Sequence, residues 1–204
     1  MNQSKIIGLT GSIATGKSQV SKYLKGKGIK VVDADLIARD VANYKSVKNK
    51  IKKVFGDDIY INEELDRKKL AEIIFANKIH RQKLNDIMHP EIYKEINKKI
   101  RGKEDLVFVD LPLLFENEDV NKKYGLDFDE IWLVYVDRET QIKRLMNRDD
   151  ISREYAEEKI NSQIPVEEKR KKADVIIDNS GTLEETFAQV EENLKNKRDV
   201  LASS

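Results

Sequence analysis

Residues 11–18 read Gly-Ser-Ile-Ala-Thr-Gly-Lys-Ser and match the pattern G-x-x-x-x-G-K-[ST]. The apolar run Lys5–Thr10 before them predicts a buried strand, and the segment Lys17–Lys25 after them predicts a helix. A glycine-bearing turn between a strand and a helix can surround a polyphosphate with main-chain N–H groups, and the helix adds its positive N-terminal end. The stretch therefore predicts a nucleoside triphosphate site on an α/β fold.

Within this loop, two side chains have specific expected roles. Lys17 would reach the β- and γ-phosphates, and the hydroxyl of Ser18 would bind Mg²⁺. We expect the whole loop to line the ATP site: Gly11, Ser12, Ile13, Ala14, Thr15, Gly16, Lys17 and Ser18.

The composition narrows the class of protein. In the 204-residue chain, 38 basic residues nearly cancel 37 acidic ones, for a net charge of +1, which argues against a dedicated nucleic-acid-binding protein. The absence of cysteine excludes disulfides, thiolate zinc sites and cysteine nucleophiles. Because no apolar run is long enough to span a bilayer and the first strand leaves no room for a signal peptide, we expect no membrane association. We expect a cytoplasmic protein that acts on small molecules and needs no obligate protein partner.

Apolar runs rich in Ile, Val and Leu alternate with helical patterns, which predicts an α/β fold around a parallel sheet covered on both faces. Five strands are predicted: Lys5–Thr10, Lys30–Asp33, Leu106–Asp110, Glu130–Val136 and Asp174–Asp178. The long interval between the second and third strands predicts a helical insertion, in which Pro90 should kink or break a helix near His89. The last helix is expected to bury Leu183, Phe187, Val190 and Leu194.

Acidic residues follow two of these strands. Asp33 and Asp35 come after the second strand, and Asp110 ends the third. Because ligands bind at the carboxyl ends of strands in open α/β sheets, Asp33 could take a proton from a substrate hydroxyl and Asp110 could orient Mg²⁺ or its water. Arg39 lies one turn beyond Asp35, within reach of a substrate phosphate. The alternatives are helix capping by Asp33 or Asp35, a strand-end cap at Asp110 and a surface salt bridge between Asp35 and Arg39.

Two arginines share one face of a predicted charged helix after the fourth strand. Arg144 and Arg148 are four residues apart, so both guanidinium groups could bind phosphate oxygens from one side. The alternative is a solvated basic face paired with Asp149, Asp150 or Glu139. Combined with the loop at residues 11–18, the spacing favours a lid over the triphosphate.

Together these motifs resemble the dephospho-coenzyme A kinase family over nearly the whole chain. Beyond the loop, the resemblance is carried by Asp33-Ala34-Asp35 with Arg39, by Leu65-Asp66-Arg67 and Leu70, by Leu84-Asn85 with His89-Pro90, by Pro112-Leu113-Leu114-Phe115-Glu116, by Gln141, Arg144-Leu145, Arg148 and Gln163, and by Ala173–Asn179.

The resemblance implies transfer of the γ-phosphoryl group of ATP to the ribose 3′-hydroxyl of dephospho-coenzyme A, with Mg²⁺. It also implies a three-layer P-loop kinase fold with a five-stranded parallel sheet. The implied parts are a core at about 1–42, 103–138 and 173–204, a helical coenzyme-A-binding insertion at about 43–102 and a mobile lid at about 139–172.

The resemblance also implies residue roles. Asp33 would be the general base, Lys17 the clamp on the γ-phosphate, and Arg144 and Arg148 the arginines of the lid. The acceptor substrate would be bound by Asp33, Asp35, Arg39 and His89.

Two other functions share parts of this pattern. A nucleoside monophosphate kinase has the same core, loop and lid, but the long insertion and the His89-Pro90 pair argue against it. A GTPase switch would carry Asn-Lys-x-Asp, which occurs here as Asn196-Lys197-Arg198-Asp199. That match lies in a charged C-terminal helix rather than after a core strand, so we interpret it as accidental.

Overall fold

The computed structural model describes the backbone of residues 4–202 and the side chains of residues 4–75 and 77–197. The chain forms two compact units. One consists of the residues up to Val32 and from Ile100 onward, and the other of Asp33–Lys99. None of the helices within residues 4–202 is long and apolar enough to cross a membrane.

The elements follow one another in an alternating order. They are β1 (Lys5–Gly11), α1 (Lys17–Gly26), β2 (Lys30–Asp33), α2 (Ala34–Ala42), α3 (Lys45–Phe55), a 3-10 turn (Asp57–Ile59), β3 (Tyr60–Ile61), β4 (Glu64–Leu65), α4 (Arg67–Ala76), α5 (Lys78–Ile100), β5 (Leu106–Asp110), α6 (Glu118–Lys123), β6 (Glu130–Tyr135), α7 (Arg138–Asp149), α8 (Arg153–Asn161), α9 (Val166–Lys172), β7 (Val175–Asp178) and α10 (Leu183–Ala202).

A five-stranded parallel sheet forms the first unit, with strand order β2-β5-β1-β6-β7. The three central strands are continuous apolar runs, and Ile7, Leu9, Phe108, Trp132 and Val134 are fully buried. Such runs fit strands covered on both faces, because neither face can present polar side chains to water. The predicted α/β class and the five predicted strands are confirmed.

Helices α1 and α10 cover one part of this sheet. Val20 and Leu24 of α1 and Val190 and Leu194 of α10 pack into the same core cluster as the central strands. The expected inward position of Leu183 is wrong, because this side chain is 42% exposed. Leu183 is the first residue of α10 and precedes the turn at which the helix begins to bury its apolar face.

The second unit contains helices α2 to α4, most of α5 and the β3–β4 hairpin. Its own buried side chains include Val41, Ile51 and Ile59. The tyrosine hydroxyl of Tyr60 donates to the carbonyl of Ala42 at 2.7 Å, and burial raises the pKa of Tyr60 to about 12.

Helix α5 runs from Lys78 to Ile100 with Pro90 inside it. Of the two effects expected of Pro90, the break is therefore wrong, whereas a kink near His89 stays a prediction. A proline in a helix interior removes one main-chain hydrogen bond and crowds the preceding turn. The residues after it still bury their apolar side chains, Tyr93 at 5% exposure and Ile96 at 0%. This burial offsets the local cost of the proline and keeps the helix continuous.

The parallel register brings the ends of the central strands to one edge. Leu9 of β1 lies opposite Asp110 of β5 and Trp132 of β6, and Gly11 lies opposite Val134. The loop that leaves β1 and the last residue of β5 are therefore neighbours at the carboxyl edge of the sheet, where open α/β folds place their ligands.

Candidate active site

The loop between β1 and α1 has the backbone conformation that the motif predicts. Ala14 and Gly16 have positive φ angles of 60° and 88°. The Thr15 N–H and hydroxyl both bind the carbonyl of Ser12, at 3.3 and 2.9 Å, which closes the turn. Gly16 could not carry a side chain here, since a Cβ would lie 2.1 Å from Nδ2 of Asn179.

Helix α1 begins at Lys17, directly after this turn. Among the described residues, no side chain caps its N-terminus. The first N–H groups of a helix lack main-chain acceptors, and together with the helix dipole they favour an anion. The loop and the helix therefore present donors suited to a phosphate group.

Lys17 contacts the acidic residue that ends β5. Its ammonium group donates to Oδ1 of Asp110, and Asp110 is only 5% exposed. The register that pairs Leu9 with Asp110 creates this contact, because β5 ends beside the start of the loop. The structure thus joins two residues that the sequence singled out separately.

The side chains of Ser18 and Asp110 carry oxygen atoms of the kind that bind Mg²⁺. Ser18 is exposed in the first turn of α1, and the Asp110 carboxylate lies at the end of β5. Within the described residues, no three His, Asp or Glu side chains form a metal-binding group. Mg²⁺ does not need such a group, because it keeps several waters and binds through one or two carboxylates and the phosphates of its substrate. The residues present therefore fit this ion.

The two arginines of α7 have different partners. Arg144 is partly buried, and its guanidinium donates to the main-chain carbonyl of Asn179 at 2.8 Å. Arg148 is exposed and pairs with Asp149 at 2.7 Å. The pKa of Asp149 is lowered to about 2, mainly by its hydrogen bond from Arg148. A second hydrogen bond, from the ammonium group of Lys159 at 3.1 Å, lowers this pKa further. Arg148 therefore forms the ion pair with Asp149 that the sequence allowed as an alternative to phosphate binding. Arg144 instead binds the main chain of Asn179, a residue that contacts the loop.

Two contacts join the loop to this part of the chain, one made by α7 and α8 and one by Gln163, which follows α8, and the sequence did not predict either. Ile13 and Ala14 pack against the apolar cluster Ile142, Leu145, Ala156 and Ile160. The side-chain carbonyl of Gln163 accepts from the N–H of Ile13 at 3.0 Å. The first contact could have been predicted from Ile13 and Ala14, because apolar side chains in a phosphate-binding loop have no role toward the phosphate and must pack elsewhere.

A third unpredicted contact involves Asn179, which follows β7. Its side-chain amide donates to the carbonyl of Thr15 at 2.8 Å, and the residue is 4% exposed. The run Ala173–Asn179 carries part of the family resemblance, but the contact itself could not be predicted from it, because Thr15 lies far away in the sequence.

The expected acceptor residues belong to the second unit. The Asp33 carboxylate caps α2 by accepting from the N–H of Leu36 at 3.1 Å. Asp35 and Arg39 are exposed in the first and last turns of the same helix. His89 is half-buried in α5, with its ring edge-on to Tyr93 at 5.9 Å between centroids. The capping role considered for Asp33 is thus present, and it leaves the proposed catalytic role to be tested by mutation.

The Asn-Lys-x-Asp match falls within α10. The ammonium group of Lys197 pairs with Glu130, the first residue of β6. The structure does not describe the side chains of Arg198 and Asp199. A helix interior is not the loop that a guanine-reading motif needs, so nothing at this position favours a GTPase.

Comparison with known proteins agrees with this geometry. The family model described as Dephospho-CoA kinase matches residues 5–185. The dephospho-CoA kinase of Fusobacterium nucleatum is 49% identical over 192 residues, which cover 91% of this chain and 95% of that protein. Among solved structures, TT1252 from Thermus thermophilus is similar with a TM-score of 0.80 and 31% identity, covering 96% of this chain and 98% of that one.

A dephospho-CoA kinase from Campylobacter jejuni has a TM-score of 0.68 and 28% identity, covering 93% of this chain and 95% of that one. The family match spans both units and includes the loop, Asp110 and the arginines of α7. The chain belongs to the dephospho-CoA kinase family.

Proposed function

We propose that this protein transfers the γ-phosphoryl group of ATP to the ribose 3′-hydroxyl of dephospho-coenzyme A, giving coenzyme A and ADP. The observation that supports this most strongly is the phosphate loop with Lys17 against Asp110, in a chain that matches the dephospho-CoA kinase family. The bond between the γ-phosphorus and the oxygen that links it to the β-phosphate breaks, and this oxygen leaves with ADP. A new bond forms between the γ-phosphorus and the ribose 3′-oxygen. The proton of the attacking hydroxyl passes to a carboxylate.

We assign the donor side to the first unit. The N–H groups of the loop and of the start of α1 bind the β- and γ-phosphates, and Lys17 places its charge beside the γ-phosphate. The Lys17 ammonium group has three N–H donors, so it can bind the γ-phosphate as well as Asp110. Phosphoryl transfer depends largely on positioning and charge stabilisation, so these groups supply most of the catalysis.

The lid arginines complete the donor side. Arg144 and Arg148 lie on α7, and their guanidinium groups can stabilise the charge that develops on the transferred group. Arg148 must leave Asp149 to do so, whereas Arg144 is already held beside the loop at Asn179. We infer that Arg144 is the more strongly preorganised of the two.

Magnesium is part of this proposal. Ser18 and Asp110 would hold it. The ion would supply positive charge that offsets the negative charge of the phosphates.

On the acceptor side, we propose Asp33 as the general base. It is the last residue of β2, a strand of the parallel sheet. Asp35, Arg39 and His89 would bind the acceptor, together with the insertion at about 43–102. The lid boundaries at about 139–172 and a cytoplasmic location also stay predictions.

The decisive experiment measures ADP release by the purified protein with ATP and Mg²⁺. Dephospho-coenzyme A, AMP, CMP and no acceptor are compared, and the product is identified by mass. We expect turnover only with dephospho-coenzyme A, which must gain one phosphoryl group. Faster turnover with AMP or CMP would instead indicate a nucleoside monophosphate kinase, and GTP hydrolysis without an acceptor would indicate a GTPase.

A further inference from the structure

Asn179 connects three parts of the first unit. Its side-chain amide donates to the carbonyl of Thr15 in the phosphate loop at 2.8 Å. Its main-chain carbonyl accepts from Arg144 of α7 at 2.8 Å, and its main-chain N–H donates to Tyr135 at the end of β6, also at 2.8 Å. One buried residue therefore contacts the loop, the helix of the lid arginines and the central sheet.

The bond to Thr15 controls the direction of a phosphate-binding donor. In a trans peptide the C=O and the following N–H point in opposite directions. Holding the Thr15 carbonyl toward Asn179 therefore turns the N–H of Gly16 away from Asn179. Gly16 is also the residue whose missing side chain lets Asn179 approach, since a Cβ there would lie 2.1 Å from Nδ2.

Thr186 sets the orientation of the Asn179 amide. Its hydroxyl lies 2.9 Å from Oδ1 of Asn179, and Thr186 is fully buried. If the amide were flipped, its oxygen would face the Thr15 carbonyl, and two acceptors would be buried against each other. The Thr186 hydroxyl must then donate to Oδ1, even though the carbonyl of Thr182 is an alternative acceptor at 2.9 Å.

We propose that Asn179, oriented by Thr186, is a positioning residue for phosphoryl transfer. It aims the N–H of Gly16 at the bound phosphates and holds Arg144 beside them. This inference rests on the proposed function, because it assumes that the loop binds ATP. Neither side chain needs to touch the substrate.

The test uses paired substitutions in the full chain. Asn179→Asp replaces the donor to Thr15 by an oxygen of similar size, and Thr186→Val removes the hydroxyl while keeping the volume of the side chain. Thr186→Ser keeps the hydroxyl and serves as the conservative variant. Asn121→Asp is a matched control, because Asn121 is 3% exposed and its amide donates to the carbonyl of Leu114 at 3.1 Å.

For each protein we would measure the Kd for ATP, the KM for ATP, kcat and the thermal midpoint. Asn179→Asp and Thr186→Val should each raise the Kd and KM for ATP by about tenfold or more, because a small displacement of the loop weakens aligned contacts. Thr186→Ser should recover most of the affinity. Asn121→Asp should lower the thermal midpoint but leave the Kd and KM for ATP near those of the unmodified protein.

The outcomes separate the two proposals. If the unmodified protein binds ATP but does not phosphorylate dephospho-coenzyme A, the proposed function fails and the Kd values still decide the role of Asn179. If Asn179→Asp and Thr186→Val lower only the thermal midpoint, as Asn121→Asp does, the positioning role is overturned. Should Asn179→Asp not fold, the comparison of Thr186→Val with Thr186→Ser gives the same decision.

Discussion

At the scale of single residues, Asp33 has a structural role besides the proposed catalytic one, because it is the N-cap of α2. Its carboxylate caps α2, as the Asp66 carboxylate caps α4 by accepting from the N–H of Lys69 at 3.0 Å. Asparagine caps helices about as well as aspartate does. Substitution by asparagine therefore keeps the cap and removes only the base.

We expect Asp33→Asn to lower kcat by about 10² or more, since loss of a general base removes this much in typical enzymes. The affinity for ATP and the thermal midpoint should change little. The control Asp66→Asn removes a carboxylate with the same capping geometry and should leave kcat unchanged. Near-normal turnover of Asp33→Asn would mean that the carboxylate serves only as a cap.

Asp110 offers a second prediction at this scale. Asp110→Asn keeps the size of the side chain but removes the charge that would hold Mg²⁺ or its water. The Mg²⁺ concentration for half-maximal activity should rise by about tenfold or more, as it does when partners of a metal site are lost. A titration of activity with Mg²⁺ at saturating ATP measures this. An unchanged Mg²⁺ requirement would limit Asp110 to its ion pair with Lys17.

At the scale of elements, α7 depends on a charged cap. The Asp137 carboxylate accepts from the hydroxyl and the N–H of Thr140, at 2.6 and 2.9 Å. The Thr140 hydroxyl is the main cause that lowers the pKa of Asp137 below its ordinary 3.8. A carboxyl whose pKa is lowered on folding stabilises the protein above its unfolded pKa. This contribution is lost as the pH falls through the folded pKa.

Asp137→Ala should therefore lower the free energy of unfolding by about 1 kcal/mol at neutral pH, the typical cost of losing a cap. The deficit relative to the unmodified protein should shrink as the pH falls below about 3.8, where the unfolded chain begins to bind the proton, and it should be smallest below the lowered pKa of the folded state. Urea unfolding at several pH values measures it, and Asp137→Asn should show a smaller deficit at neutral pH. A deficit of Asp137→Ala that grows on acidification would contradict this account of the cap.

The proposed lid provides a second prediction at the element scale. Helix α7 carries Arg144 and Arg148, and α7 and α8 pack against Ile13 of the loop, whose N–H also donates to Gln163 just after α8. Binding of ATP with dephospho-coenzyme A should order these contacts and slow amide hydrogen exchange in α7 and α8. Buried amides near Val190 in α10 are the internal reference, since they should slow only by the global stabilisation that ligand binding gives. Amides in α7 and α8 should slow by more than this if the segment closes as a lid. If exchange in α7 and α8 slows no more than at this reference, the segment is not a lid.

At the scale of the whole molecule, ligand binding should appear as stability. A ligand at about 100 times its dissociation constant raises the free energy of unfolding by about 2.7 kcal/mol when it binds only the folded state. Trp132, the only tryptophan and fully buried, reports unfolding by fluorescence. ATP with Mg²⁺ should produce this shift.

Lys17→Ala should lose most of the shift and should abolish phosphoryl transfer, because it removes the ammonium group that we propose as the contact to the γ-phosphate. Lys22→Ala is the matched control, since Lys22 lies exposed on the same helix and outside the loop. It should keep the full stabilisation by ATP. An active Lys17→Ala would contradict the assignment of the donor site.

The parts of this protein that the sequence predicted correctly depend on neighbours along the chain. The five strands appear as apolar runs, and the loop appears as glycine spacing before a helix. Such features need only local backbone geometry and burial on both faces of a sheet. The narrower motifs then led from an α/β fold to the dephospho-coenzyme A kinase family, which the comparisons confirm.

The errors lie where packing overrides local preference. The sequence predicts that Pro90 kinks or breaks a helix, and the break is wrong: α5 continues past the proline, with Tyr93 and Ile96 buried beyond it. Leu183 fits the apolar stripe of α10 by its spacing, yet it lies on the exposed first turn. Neither outcome can be read from spacing alone, because spacing does not say what lies opposite each side chain.

By itself, the sequence determined the fold class, the phosphate loop and the family, and it supplied the candidate site residues: a lysine, a serine, carboxylates and two arginines on one helix face. Only the tertiary structure decided which of these groups meet. Lys17 reaches Asp110 because β1 and β5 pair in a particular register, and Thr15 is held by Asn179 because β7 ends beside the loop. These contacts join residues from distant parts of the chain, and their geometry is set by sheet register and core packing, which no local pattern encodes.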